Sequence, residues 1–275
     1  MTDTADLSRL LAVASEILDG AADRFVSGRG APRSVDKGPN DFATELDLEL
    51  ERRIAGELTD RTGIAVHGEE YGGPGAAEGT VWLLDPIDGT VNYSVGLPTA
   101  GILLALVCDG EPVLGLTWLP LVGEHFAAAR GGPLLHNGAP AEPLKAGRLA
   151  DAMVGVGSFD IDSRGRVPGT RRLAVITELS RRVSRLRMHG STGVDLAYTA
   201  AGVLGGAVVF GHHPWDNAAG VALVRAAGGI ATDFTGAPWR IGSGSVLAAA
   251  PGVHNEILDI LESVADSRPE GEQQP

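Results

Sequence analysis

The sequence predicts a mixed fold, an α+β first part running into an α/β second part within one continuous globule. Three observations carry that expectation. From Val81 to about Leu135 short apolar runs alternate with turns such as "CDGEP", "LPLVG", "RGG" and "HNGAP", the pattern of an antiparallel sheet. From Ala150 onward strands precede helices: "MVGVGSF" before "LAVITELSRRV", "RLRMHG" before "VDLAYTAAG", and "GAVVFG" before "WDNAAGVALVRAAGG". No repeat and no low-complexity linker separates the two textures. The halves therefore fall at 1–145 and 146–265, and the polar stretch 266–275 is expected to be a disordered tail.

Each element has a local cause. Leu7, Leu10, Leu11, Ala14, Ile17 and Leu18 recur at helical spacing, and Gly20 is the expected stop. "VSGRGAPRSVDKGPND" is polar and rich in Gly and Pro, so it reads as a loop. "TELDLELERRIAGEL" is a second amphipathic helix with Leu46, Leu50, Ile54 and Leu58 on one face. "GIAVHGEEYGGPG" is a short strand running into a Gly-rich loop. "VWLL" (Val81 to Leu84) is an interior strand, which places Asp85 at its carboxyl end and Asp88 one tight turn later. "IATDF" and "SVLAAA" supply the closing strands, and "VHNEILDILESV" the last helix.

Composition narrows the function. The chain of 275 residues is 44% hydrophobic but only 5% aromatic, so its core rests on Ala, Val, Leu and Ile. Lys and Arg number 22 against 35 Asp and Glu, a formal charge of −13. That balance argues against nucleic acid as a partner, because phosphate-backbone binding needs basic patches. An anionic substrate would need help from bound cations. The lone Cys108 gives no disulfide framework and fits a reducing cytoplasm. The N-terminus has no basic stretch before an apolar core, unlike a signal peptide, and "GILLALVCDG" is too short to span a bilayer.

The chemistry concentrates in carboxylates. Asp85 and Asp88 of "LDPIDGT" crowd two like charges beside buried-type residues, which is costly unless a cation lies between them. An Arg, a Lys or a metal ion would serve, and the segment itself contains no Lys or Arg. Glu69 follows a strand in "VHGEEYGG", and Asp216 of "PWDNAAG" opens a helix after the strand "GAVVFG". Strand ends followed by helix starts are where α/β folds gather ligands. Carboxylates with a backbone carbonyl and water suit a hard cation such as Mg²⁺. The amides of Gly89 and Thr90 suit a phosphate oxygen. Blander readings stand beside these. Asp216 could be an N-cap, and Asp47, three residues after Thr44, could close a capping box. A single Glu such as Glu69 is usually just solvated. "HHPWD" imitates metal-ligand spacing, but it lacks the further N or S ligands that zinc needs.

Taken together and in this order, "NDFATELD", "HGEE", "LDPIDGT.NY" and "PWDNAAG" resemble the inositol monophosphatase family of Mg²⁺-dependent, Li⁺-sensitive phosphatases. The resemblance spans roughly Asp36 to Gly229. It implies a layered αβαβα sandwich, usually a homodimer, acting on a small phosphate monoester with two to three Mg²⁺ per site. It places Glu69, Asp85 and the Ile87 carbonyl on a first metal. Asp85, Asp88 and Asp216 would share a second, and Asp88 a third. Asp47 and Thr90 would position and activate the attacking water, and the Gly89 and Thr90 amides would hold the phosphate. Gly190, Ser191 and Thr192 of "HGSTG" align with the substrate-contacting loop. One departure concerns the acidic residue that many inositol-specific members carry just before "WD", because an ungapped match puts Val209 there. The expected reaction is hydrolysis of inositol-1-phosphate or a related polyol phosphate by a metal-activated water. Fructose-1,6-bisphosphate, histidinol phosphate and 3′-phosphoadenosine 5′-phosphate remain open as substrates, and a regulatory binding protein is the non-enzyme alternative.

Overall fold

Hydrophobic alternation assigns every long strand to two cores at once. In the computed structural model, which describes residues 4–38 and 41–266, the first half runs through twelve elements. These are α1 (Thr4–Ser27), β1 (Arg33–Gly38), β2 (Asp41–Thr44), α2 (Glu45–Thr62), β3 (Val66–Gly68) and β4 (Thr80–Asp88). Then come α3 (Thr90–Ser94), β5 (Gly101–Cys108), β6 (Glu111–Leu119), β7 (Glu124–Ala129), β8 (Leu135–His136) and β9 (Ala139–Pro140). The second half holds β10 (Met153–Val156), α4 (Gly169–Arg182), β11 (Arg185–Arg187), α5 (Thr192–Ala200) and β12 (Gly206–Val209). It closes with α6 (Pro214–Ala226), β13 (Ile230–Thr232), β14 (Val246–Ala249) and α7 (Val253–Asp266).

β3 to β9 form a seven-stranded sheet in sequence order, antiparallel except for the parallel pair β3–β4. The second sheet has the order β11-β10-β12-β14-β13. Its β10 pairs are parallel, while β14 runs antiparallel to both neighbours, so this half is a mixed sheet. Trp82, Leu84, Ile102, Leu104 and Leu106 point to the core shared with α1 and α2. The intervening Val81, Leu83, Leu103, Ala105 and Val107 point to the central core with α5 and α6. β12 and β14 repeat the device. Ala207, Val209, Val246 and Ala248 face the central core, and Val208, Leu247 and Ala249 face the core under α4 and α7. The result is a helix–sheet–helix–sheet–helix stack, the expected αβαβα sandwich.

Several local expectations change. α1 does not stop at Gly20; Ala21 and Phe25 continue its buried stripe to Ser27, and burying them outweighs one unfavourable glycine. Part of the expected loop, Arg33–Gly38, is a strand paired with β2. Every residue of β1 is exposed, so no alternation marked it in the sequence. Asp216 is not an N-cap, because His213 takes that position, Pro214 opens α6, and Asp216 sits in the first turn. Helix α7 reaches Asp266, the first residue of the expected tail, and 267–275 lie outside the described residues.

The turn expected between Asp85 and Asp88 is instead a β-bulge. β4 continues through both, Asp85 opposing Leu103 and Asp88 opposing Gly101, so three steps on one strand match two on the other. In a regular strand residues three apart face opposite sides. The extra residue restores parity and brings both carboxylates to one face. Pro86, which has no N–H to give a ladder, falls within this irregular stretch.

Candidate active site

The two carboxylates of β4 open on a cavity of about 230 Å³ at the strand ends. Glu69, Asp85, Ile87, Asp88, Gly89, Thr90, Gly190, Ser191, Thr192 and Asp216 all line it. Parallel pairing puts Gly68 beside Leu84, and the Glu69 N–H donates to the Leu84 carbonyl (3.1 Å), so Glu69 enters next to Asp85. Asp216 arrives from the opposite side on the first turn of α6. Gly89 caps α3 with φ of 81°, and a Cβ there would lie 2.9 Å from the Thr99 carbonyl oxygen, so only glycine fits. Asp85 Oδ1 accepts from the Ile87 N–H (3.0 Å), and the Thr90 hydroxyl donates to the Ile87 carbonyl (3.0 Å).

Asp88 is held by the N-terminus of α5. The Ser191 hydroxyl and the Gly193 N–H (2.7 Å) donate to Oδ2, and the Thr192 N–H (3.2 Å) to Oδ1. Gly193 is required here, since a Cβ would come within 2.8 Å of Asp88 Oδ2 and 2.2 Å of the Leu103 side chain. Ser191 also caps α5 by accepting from the Val194 N–H (3.1 Å). The expected substrate-contacting loop therefore carries a further duty, orienting a carboxylate.

Electrostatics register the excess negative charge. Burial, then Glu69, Asp88 and Asp216, push the Asp85 carboxyl well above the usual range. Burial raises Asp88 to about 6 against the lowering by its three hydrogen bonds. Among the described residues no three His, Cys, Asp or Glu side chains are closed around a single point as in a preformed metal cage. A cation is present nonetheless. Lys37 reaches from β1 to Glu69 Oε1 and Glu70 Oε1, both at 2.7 Å. Burial lowers the lysine pKa, but the two carboxylates outweigh it and the net shift is upward. Glu70 is raised to about 7, chiefly by burial.

Asp47 is fully buried and does not line the cavity. It closes the capping box of α2: its Oδ2 accepts from the Thr44 N–H (2.8 Å) and hydroxyl (2.5 Å). Its Oδ1 is buried with no hydrogen-bond partner. Burial, moderated by Thr44, raises its pKa. Asp47 and Thr90 are thus not joined to each other here, because Thr90 bonds Ile87.

Val209 does not face the cavity. It is 1% exposed, inside the central core, so an acidic side chain at the end of β12 is not replaced by one that touches substrate. Sequence reasoning also missed four contributors. Phe42 and Ser158 line the cavity; the "GS" after "MVGV", at a strand end, was the available signal for Ser158. Glu51, buried on α2, accepts from the Glu70 and Tyr71 N–H groups (both 2.8 Å) and so fixes the turn after Glu69. Lys37 was hidden by its distance along the chain.

The fold and the cavity define a layered αβαβα protein with an acidic, oxygen-lined site receptive to cations. The inositol monophosphatase family model matches residues 3–266, and the chain belongs to that family. It is 59% identical over 261 residues to the inositol-1-monophosphatase ImpA of Mycolicibacterium smegmatis, covering 95% of each chain. Over 233 residues it is 31% identical to the fructose-1,6-bisphosphatase/inositol-1-monophosphatase of Thermotoga maritima, covering 83% of this chain and 86% of that one. Among solved structures, the IMPase of Thermotoga maritima superposes with a TM-score of 0.82 at 28% identity, over 91% of this chain and 96% of that one.

Proposed function

We propose that this chain is a Mg²⁺-dependent phosphomonoesterase that hydrolyses inositol-1-phosphate or a related polyol or sugar phosphate. One observation carries the reading: four carboxylates, the Ile87 carbonyl and the Gly89–Thr90 helix start converge on one cavity. The donor set is all oxygen and over-charged, as a hard cation requires, and Lys37 already sits where positive charge is demanded. Glu69, Asp85, Asp88, Asp216 and the Ile87 carbonyl would hold two to three Mg²⁺. Bound Mg²⁺ supplies Lewis acidity, lowers the pKa of water and neutralises phosphate charge.

The chain's own groups do the rest. The Gly89 and Thr90 amides orient the phosphate at the start of α3. Asp47 lies behind the cavity wall, and its Oδ1, which is without a partner, would act as proton acceptor only once it and the Thr90 hydroxyl turn to a shared water. Ser158 and the Gly190–Thr192 loop meet the alcohol part of the substrate, with no carboxylate from β12 beside them. The relatives' names support inositol phosphate as substrate, and the Thermotoga name keeps fructose-1,6-bisphosphate as the second candidate.

The protein is further proposed to act in the cytoplasm as a homodimer. The single Cys108 fits the compartment. Exposed Val95, Leu97 and Met188, on segments joined by the Asn92–His189 hydrogen bond, offer a second copy an apolar face. No helix among the described residues is long and apolar enough to cross a membrane. The test is phosphate release with Mg²⁺ across inositol-1-phosphate, glycerol-2-phosphate, fructose-1,6-bisphosphate, histidinol phosphate and 3′-phosphoadenosine 5′-phosphate. Inositol-1-phosphate should lead, with Li⁺ inhibiting. No release from any of the five would overturn the reading.

A further inference from the structure

His189 stands beside the cavity without lining it, and it joins three parts of the site. Its Nδ1 lies 2.6 Å from Asp195 Oδ1. Asp195 is 1% exposed, in the first turn of α5. The same oxygen rests against Gly155 of β10, where a Cβ would come within 2.7 Å of it. The acid is therefore fixed by the second sheet. The His189 carbonyl accepts from the Asn92 side chain (2.6 Å) and the Thr99 hydroxyl (3.3 Å). Asn92 belongs to α3, whose first turn carries the Gly89–Thr90 amides. The next residues, Ser191 to Gly193, deliver three donors to Asp88. The ring meets Tyr198 edge-on at 6.2 Å, and Tyr198 is tied to Glu124 of β7 (3.0 Å).

A carboxylate so deeply buried needs a charged or donating partner, and satisfying Asp195 would be reason enough for a histidine. The geometry does more than that. The imidazole and the carbonyl of one residue are fastened to different elements, the ring to α5 and the carbonyl to α3 and the loop before β5, immediately before a glycine in the left-handed region (Gly190, φ 73°) and the Asp88 donors. Without the ring contact, His189 would keep only the Asn92–Thr99 side, and the Ser191 hydroxyl and the two amides would be aimed by the start of α5 alone, with nothing holding the approach to it.

We propose that His189 and Asp195 form a positioning pair that sets the Gly190–Gly193 loop, and through it the orientation of Asp88 and of the substrate's alcohol. The pair acts behind the reacting groups and touches none of them, as the outer partners of metal-ligating side chains do. The inference rests on the phosphatase reading for its effect on turnover, but its effect on Mg²⁺ binding is independent of catalysis.

Three variants test it. His189→Leu removes the donor and leaves Asp195 charged and buried, so the melting temperature and activity should both fall. His189→Leu/Asp195→Asn also removes the charge at nearly constant shape, so the melting temperature should recover. His189→Asn retains a donor near the Nδ1 position. For His189→Leu and for the double variant, kcat/KM on inositol-1-phosphate and Mg²⁺ affinity by calorimetry should both stay roughly tenfold or more below wild type, with His189→Asn far closer to it. Recovery of activity and Mg²⁺ affinity along with melting temperature in the double variant would reduce the pair to a stability contact and overturn the proposal. So would a His189→Leu protein that binds Mg²⁺ like wild type. A wild type inert on every phosphate ester would defeat the phosphatase reading alone, since the order of Mg²⁺ affinities still judges the pair.

Discussion

Asp88 and Asp47 show how far a single carboxylate's environment decides its duty. Asp88 carries raised pKa and three directed donors, the mark of a charge held in place against its own desolvation. Asp88→Asn should remove a negative charge from the cluster while keeping most of its shape. We expect turnover to vanish at saturating Mg²⁺ and the metal-free melting temperature to rise; near-normal turnover would remove Asp88 from the site's machinery. Asp47 holds the capping box with Oδ2 and leaves Oδ1 free, so the two duties use different atoms. Asp47→Asn can keep the cap through its remaining carbonyl oxygen, costing at most about 1 kcal/mol. Loss of the proton acceptor should cut kcat by roughly 10²-fold. Unchanged kcat with a lowered melting temperature would leave Asp47 the cap alone. These residues were legible because their motifs are local: paired acids after an apolar strand, and Thr44 three residues before Asp47. Glu51 was not legible, since its partners Glu70 and Tyr71 lie on another segment, and His189, though it opens "HGSTG", was equally hidden, because the contact of its ring with Asp195 appears only once the loop is folded.

At the scale of elements, periodicity was readable and irregularity was not. Every strand with two buried faces announced itself as an apolar run, whereas β1 has no buried side chain and was read as loop. The bulge in β4 was likewise invisible, because "DPID" suits a turn as well as an extra residue in a ladder. The missed hairpin matters, for β1 delivers the cation that the sequence demanded and did not locate. A metal ion held by Glu69 would compete with Lys37 for that carboxylate. Lys37→Met should therefore destabilise the metal-free protein, by leaving Glu69 and Glu70 uncompensated, and tighten Mg²⁺ binding by removing the competitor. Calorimetric titration reads the second effect, and weaker Mg²⁺ binding in the variant would mean that Lys37 assists the metal instead. The strand β12 supplies a contrasting case. Val209 has no such freedom: Val209→Glu would bury an unpaired charge between two sheets, costing on the order of 4 kcal/mol. A folded Val209→Glu protein with altered substrate preference would redraw that strand.

For the molecule as a whole, an α+β part running into an α/β part was legible from the order of apolar runs and strand–helix pairs, whereas the layered αβαβα stack was implied by the family resemblance of the acidic motifs. What composition could not show is that much of the strain in a chain of charge −13 is gathered at one place. Asp85, Asp88, Glu70, Asp47 and Glu51 all have raised pKa values, with burial as the largest cause in each. A carboxyl whose folded pKa is raised stabilises the fold while protonated, and that contribution is lost as pH rises through the folded value. Asp88 at about 6 and Glu70 at about 7 set the upper part of the window. His212 and His254, lowered chiefly by burial, act in the opposite sense and lose stability as pH falls. Asp195, also raised by burial, makes six carboxylates in the first sense, against two imidazoles and Glu49, which its hydrogen bond to Arg24 lowers, so the raised carboxylates dominate. In EDTA the melting temperature should therefore decline from about pH 5, most steeply between the ordinary carboxylate range and the raised values of about 6 and 7, and level off above about pH 7. Saturating Mg²⁺ should flatten or reverse the slope, because the cation favours the ionised carboxylates that the bare site disfavours. The stabilisation by Mg²⁺ must then grow with pH across the same window. Thermal unfolding measured with EDTA and with Mg²⁺ at each pH gives both slopes at once. A metal-free melting temperature that climbs between pH 5 and 8 would mean that Lys37 and the α5 amides already neutralise the cluster, leaving no electrostatic demand for a metal at this site.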